Sequence, residues 1–261
     1  MDFDIEIGKI RLRVSGDNNS PGRPVIIFLH DSLGCIDYWK DFPEKLGELC
    51  CCNILIYDRQ GYGKSDPFTS LIRCKDYMET EADVLHRILE ICKIDKTILF
   101  GHSDGGTIAL IAATKYPDQI SGVITEGAHF FVEEITLEGI RKAVDSYYTT
   151  DLKDKLIKYH GDKTDAVFRA WTETWLSVDF RNWNIETFLP GIKCPCLIIQ
   201  GDNDIYGSNK QVESIINGVS GITEKLIIPG AGHSPHIEAR DLILNKSKAF
   251  FDKFLRVTNH T

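Results

Sequence analysis

Residues 98–117, ILFGHSDGGTIALIAATKYP, divide into an apolar run, a glycine-rich turn carrying Ser103, and an Ala/Ile/Leu-rich stretch that stops at Pro117. The run from Thr97 to Phe100 predicts a buried strand, and Thr107 to Tyr116 predicts a helix that the proline cannot continue. Between them lies Gly101-His102-Ser103-Asp104-Gly105, a G-x-S-x-G pattern in strand–turn–helix context, with Gly106 adding room. Such a turn holds the serine in a strained conformation, and its glycines remove side chains that would collide with neighbouring backbone. The helix N-terminus beneath the serine offers unpaired N–H groups to a developing anion. A serine presented this way needs a base and an orienting acid from elsewhere in the chain.

The chain has 261 residues with 43% apolar content, enough for one sizeable domain with an insertion. A net charge of −8 and no block of Lys or Arg argue against nucleic acid or an anionic membrane surface as partner. The start, MDFDIEIGKIRLRV, lacks the pattern of a signal peptide, and no apolar run is long enough to span a bilayer, so a cytoplasmic protein is expected. Eight cysteines without an export signal are read as reduced thiols. Cys50-Cys51-Cys52 and the Cys194/Cys196 pair match no zinc spacing, so no metal is assigned, and no cofactor is called for.

Outward from the serine turn, alternation in Phe3–Val14 predicts an edge hairpin, and Asp17–Pro24 reads as a loop. Val25–Leu29 and Asn53–Tyr57 are apolar on both faces, as central parallel strands are; a helix is expected from Ile36 to Leu49 between them. Another helix is predicted over Lys75–Lys93, and Ile120–Thr125 is a further strand. From His129 to Pro190 there are three helical segments (137–149, 151–160 and 164–177) and no strand signal. Strands resume at Cys196–Gln200 and Lys225–Ile228, with a helix over 210–217 between them and a closing helix over 238–255. The expected fold is α/β: a mostly parallel sheet with helices on both faces, a core of residues 1–127 and 191–261, and a helical cap inserted at 128–190.

Each resumed strand is followed by a residue type the serine requires. Gln200 leads into Gly201-Asp202-Asn203-Asp204, and Ile228 into Pro229-Gly230-Ala231-Gly232-His233. The order Ser, Asp, His, with each residue just beyond a strand's C-terminal end, is where open parallel sheets carry their sites.

With HDSLG at 30–34, DRQGYGKSDP at 58–67, GHSDGG at 101–106, GDND at 201–204 and GAGHSPH at 230–236, the chain resembles the α/β-hydrolase superfamily over nearly its whole length. The resemblance implies Ser103 as nucleophile, His233 as general base and Asp204 as orienting acid. Asp202 is a rival acid, His236 a rival base, and Glu126 matches an acid position of some members. The oxyanion-hole amides would be those of Asp104 and Ser32. Asp31 departs from the usual His-Gly of that loop, and Asp tolerates positive φ if the loop requires it. The Ser32 hydroxyl is expected to cap the following helix.

A serine nucleophile points to acyl transfer and away from the alkyl-enzyme chemistry of members with aspartate there. The reading is a serine hydrolase of a small ester or lactone, since S-L-G resembles enol-lactone hydrolases. The alternatives are carbon–carbon bond cleavage of an oxo-acid on the same triad, or a non-catalytic ligand-binding relative. An anionic oxo-acid would want a cation, for which Arg141, Arg169 and Arg181 in the insert are candidates. His30, Phe130, Trp171 and Trp175 are taken as substrate-binding candidates; the two tryptophans, four apart, share a helix face that packs the insert or lines a pocket. The expected partner is a small molecule, and a homodimer is left open.

Overall fold

The computed structural model describes residues 2–17, 22–70 and 73–256, so residues 18–21 of the expected 17–24 loop lie outside the described residues. Strands β1 (Asp2–Ile7) and β2 (Ile10–Asp17) form the edge hairpin, β2 also pairing antiparallel with β4 (Asn53–Tyr57). The other strands, β3 (Val25–Leu29), β5 (Thr97–His102), β6 (Ile120–Glu126), β7 (Cys196–Gly201) and β8 (Thr223–Ile228), continue in parallel. The eight-stranded order is β1-β2-β4-β3-β5-β6-β7-β8.

Helices cover both faces, which is why β3, β4 and β5 are buried at every position. The pleat sorts their side chains. Ile27, Leu29 and Leu99 join the layer of α2 (Tyr77–Cys92) and α3 (Asp104–Lys115). Ile26, Phe28, Ile98 and Phe100 join the layer of α1 (Phe42–Cys50) and α9 (Arg240–Phe254).

Between β6 and β7, residues 128–190 contribute α4 (Glu134–Thr149), α5 (Leu152–His160) and α6 (Thr164–Trp175) and, among the described residues, no strand of the sheet. Trp171, Trp175, Phe180 and Trp183 pack into the same apolar cluster as α2 and α3, so the insertion shares the core beneath it. It is tied to the early loops by His160, whose ring bonds the Leu33 carbonyl at 2.9 Å and the Gly63 amide at 3.0 Å.

Two expected helices are interrupted. The segment predicted over 36–49 is a 3-10 turn (Ile36–Trp39) followed by α1, because Lys40 takes a left-handed φ of 56° and Pro43 fits only a first helical turn. The closing segment is a short α8 (Pro235–Glu238) and then α9, with Ala239 leaving helical geometry between them. The helix after β7 is α7 (Asn209–Gly218), capped by the Ser208 hydroxyl. Among the described residues no helix is long and apolar enough to cross a membrane.

Candidate active site

Ser103 joins β5 to α3 with φ 53° and ψ −119°, a conformation that L-residues rarely hold without external support. Support comes from close packing. A Cβ at Gly105 would lie 2.0 Å from the Leu29 carbonyl oxygen, and one at Gly101 would lie 2.3 Å from that of Gly105. Only glycine lets the turn press against β3, so the tight turn lifts the Ser103 hydroxyl off the sheet end.

The loop after β8 brings His233 Nε2 to 2.9 Å from Ser103 Oγ. On the other side of the ring, Nδ1 lies 2.8 Å from Asp204 Oδ2, in the loop after β7. A carboxylate only accepts, so Nδ1–H donates to Asp204 and Nε2 is left to accept from the serine hydroxyl. Asp204 is itself held: Gln200 Nε2 donates to Oδ2 at 2.6 Å and the Tyr206 amide to Oδ1 at 2.8 Å. Burial opposes charge on His233, but the Asp204 carboxylate outweighs it and raises the imidazole above its ordinary value. For Asp204, burial is likewise outweighed by His233 and by the Tyr206 amide, which hold the carboxyl low.

The rival residues have other partners. Asp202 Oδ1 accepts from the Gly230 amide at 2.6 Å and braces the two loops. Glu126 faces His236: Oε2 accepts its amide at 3.0 Å, and Oε1 accepts from its Nδ1. His102, just before Ser103, donates from Nε2 to the His233 carbonyl at 2.8 Å, and the Ser103 amide donates to the Glu126 carbonyl at 2.9 Å. The ends of β5 and β6 thus grip the loop that carries His233. Ligand atoms of His102, Glu126 and His236 lie within 4.8 Å of one another and are the one group among the described residues that could hold a metal ion. Both Glu126 oxygens and His102 Nε2 are already engaged in these bonds, so the cluster fits a bracing role better than a metal centre.

A small cavity reaches Ser103 and His233. Thr136 and Ile140 of α4 and Trp171 and Trp175 of α6 form its insertion side, and Asp31, Ser32 and Leu33 the opposite edge. Trp171 and Trp175 therefore both pack the insert and line the cavity. Asp104 opens α3, so its amide has no acceptor within the helix and is free for a ligand. Its side chain is buried, with Oδ2 accepting from Tyr77 at 2.8 Å, and Tyr77 in turn accepting from Trp175 Nε1 at 3.1 Å.

Several expectations change here. His30 and Phe130 are not among the cavity residues. His30 is 1% exposed because Arg59 folds over it, donating to its ring and to the Asp31 carbonyl, at 2.7 Å for the latter. Burial, then the neighbouring Arg59, hold His30 well below the ordinary histidine value. Phe130 is fixed by its backbone: its amide donates to Gln211 Oε1 at 2.6 Å, and its ring packs on the core and on Phe131. The Ser32 hydroxyl caps no helix; it is buried at the cavity edge with no partner among the described residues. Asp31 is absent from the residues of positive φ, so its loop does not need that conformation. Arg141 and Arg181 pair with Glu134, and Arg169 with Glu173 at 2.6 Å, all about half exposed and away from the cavity.

Gln200, Tyr206, Thr136, Ile140 and His129 belong to the site without having been singled out. Gln200 sits on a buried strand, where an amide side chain needs partners; that was a readable signal. Tyr206 stands two residues after Asp204 in the same loop; Thr136 and Ile140 carry no local mark, because only the packing of the insertion brings them to the cavity.

Comparison with known proteins agrees with this architecture. A family model described as alpha/beta hydrolase fold matches residues 24–187. The human serine hydrolase BPHL is 28% identical over 231 residues, covering 84% of this chain and 76% of that protein. The 2-hydroxy-6-oxononadienedioate/2-hydroxy-6-oxononatrienedioate hydrolase of Escherichia coli strain K12 is 25% identical, covering 92% of each chain. Among solved structures, MGS-M2, an alpha/beta hydrolase enzyme from a Medee basin deep-sea metagenome library, superposes with a TM-score of 0.80 at 18% identity, over 99% of this chain and 100% of that one. With more than half its length matched, and with an eight-stranded, mostly parallel sheet carrying the serine turn, the chain belongs to the α/β-hydrolase fold family.

Proposed function

We propose that this hydrolase cleaves a small carboxylic ester or lactone through an acyl-enzyme on Ser103. The observation that carries the reading is the continuous hydrogen-bonded line Ser103 Oγ, His233, Asp204, at 2.9 and 2.8 Å, opening into a cavity. Ser103 Oγ attacks the carbonyl carbon as His233 Nε2 takes its proton, and Asp204 keeps the ring oriented and stabilises the imidazolium. The amides of Asp104 and Ser32 receive the oxyanion, each such donor contributing on the order of 100- to 1,000-fold in kcat. His233 then protonates the leaving oxygen, and a water activated by the same ring releases the acid. Residues 128–190 serve as the cap over this chemistry.

The E. coli relative's name describes hydrolysis of dianionic oxo-acids. Among the described residues the cavity is lined by no Lys or Arg, and of its two aspartates Asp104 is paired with buried Arg59 at 3.9 Å, which leaves Asp31 as the unneutralised charge. The insert's arginines are engaged elsewhere on the surface. That charge balance favours neutral or cationic acyl groups over dianions, and so favours ester or lactone hydrolysis over the carbon–carbon reaction.

The test is reaction of the wild type and Ser103→Ala with a fluorophosphonate probe, beside turnover of p-nitrophenyl acetate and butyrate. Wild type should label and turn over; Ser103→Ala should not label, with kcat down about a million-fold. A wild type that neither labels nor turns over would leave the ligand-binding reading in its place.

A further inference from the structure

His129 follows β6 and is 3% exposed, and it lines the cavity beside Ser103 and His233. Its backbone is clamped to the nucleophile helix: Thr107 Oγ1 donates to the His129 carbonyl at 2.9 Å and lies 3.1 Å from the His129 amide. Its ring stands edge-on to Trp175 at 5.0 Å and lies 5.9 Å from the ring of His233. Nε2 lies 3.1 Å from the Tyr206 carbonyl, which can only accept, so Nε2 carries the proton. Burial first, and then His233, hold the ring below its ordinary value, which favours the neutral form. Nδ1 is then a bare lone pair, and it is buried with no partner among the described residues.

Two other residues of the cavity lining, Asp104 and Ser32, also carry a buried side-chain oxygen, Oδ1 and Oγ, with no partner among the described residues. Two of the three can only accept, and the serine can both donate and accept. A buried acceptor without a donor is costly, and a purely apolar acyl chain would leave the penalty in place on binding. We infer that His129 is a specificity-determining residue whose Nδ1 accepts a hydrogen bond from a hydroxyl on the substrate. A hydroxyl suits the set because it supplies the donor that His129 Nδ1 lacks and its own oxygen can accept in turn; His129 and Ser32 both belong to the cavity lining. The inference rests on the ester-hydrolase reading above and names the kind of ester.

The experiment compares kcat/KM for methyl 2- and 3-hydroxybutyrate with that for methyl butyrate, in wild type, His129→Phe and His129→Asn. In wild type one hydroxy ester should exceed methyl butyrate by about tenfold. His129→Phe, which keeps a ring against Trp175 but has no acceptor, should bring that ratio close to one. His129→Asn, whose side-chain oxygen reaches the place of Nδ1, should keep most of the preference. A wild-type ratio near one overturns the inference even if His129→Phe does not fold. An equal loss on hydroxy and plain esters in His129→Phe also overturns it, since His129 would then act on the triad or the deacylating water. Absence of turnover on all three esters in wild type would instead count against the ester reading itself.

Discussion

The sheet ends and the inserted helices meet at one cavity, yet they are built to different standards. On the sheet side each member of the proposed triad is held by the residues around it. Ser103 is held by glycines that touch β3 and β5, His233 by the His102 bond to its carbonyl and, three residues on, by Glu126 holding His236, and Asp204 by Gln200 and the Tyr206 amide. On the insertion side Thr136, Ile140, Trp171 and Trp175 meet the cavity as packed side chains on helices. Packing of that kind tolerates changes of shape, whereas a hydrogen-bonded serine–histidine line tolerates almost none. On the proposed reading, the difference gives reaction type to the frame and choice of substrate to the insertion.

That division breaks hardest at Asp204. Asp204→Asn should lower kcat by about ten-thousand-fold with folding retained, because the amide no longer fixes the ring's tautomer. Asp204 also raises the His233 value against the opposing effect of burial, and catalysis needs the neutral ring. Wild-type kcat/KM should therefore fall as pH drops through a midpoint above the ordinary 6.5, and the residual activity of Asp204→Asn should show that limb at lower pH. An unmoved limb would mean another group sets it.

A smaller effect is expected on the other side of the cavity. Ile140 is 1% exposed and lines the same cavity as the serine. Ile140→Val should cost about 1 kcal/mol of stability, measured by denaturant unfolding. It should also shift the ratio of butyrate to acetate hydrolysis toward butyrate by on the order of tenfold. Equal loss on both esters would blur the division, since a packing residue would then be shaping the chemistry.

The smallest effect belongs to the outer face. Arg169 pairs with Glu173 at 2.6 Å, with both side chains about half exposed. Arg169→Ala should change stability by less than about 0.5 kcal/mol and leave ester kinetics unaltered. A selective loss of activity toward a dienoic oxo-acid in this variant would return the insert's arginines to the site.

The same division governed what could be read from the sequence. The strand–turn–helix around Ser103 was legible because its glycines and its neighbouring periodicity are local requirements of the backbone. The placing of Asp204 and His233 after successive strands was legible because parallel sheets carry their sites at one edge. Nothing local marks Ile140 or Thr136 as cavity residues; helical spacing tells that a face is buried, not what it is buried against. His30 illustrates the opposite failure. It sits in a recognisable loop, but Arg59, 29 residues away, closes over it and takes it out of the cavity.

The most direct measurement of the central claim is intact-protein mass spectrometry of wild type quenched within milliseconds of mixing with p-nitrophenyl butyrate. A mass increase of one butyryl group, carried by the peptide containing Ser103 and lost on further incubation, is the predicted result. Steady release of butyrate with no such adduct on Ser103, or an adduct on another residue, would contradict it.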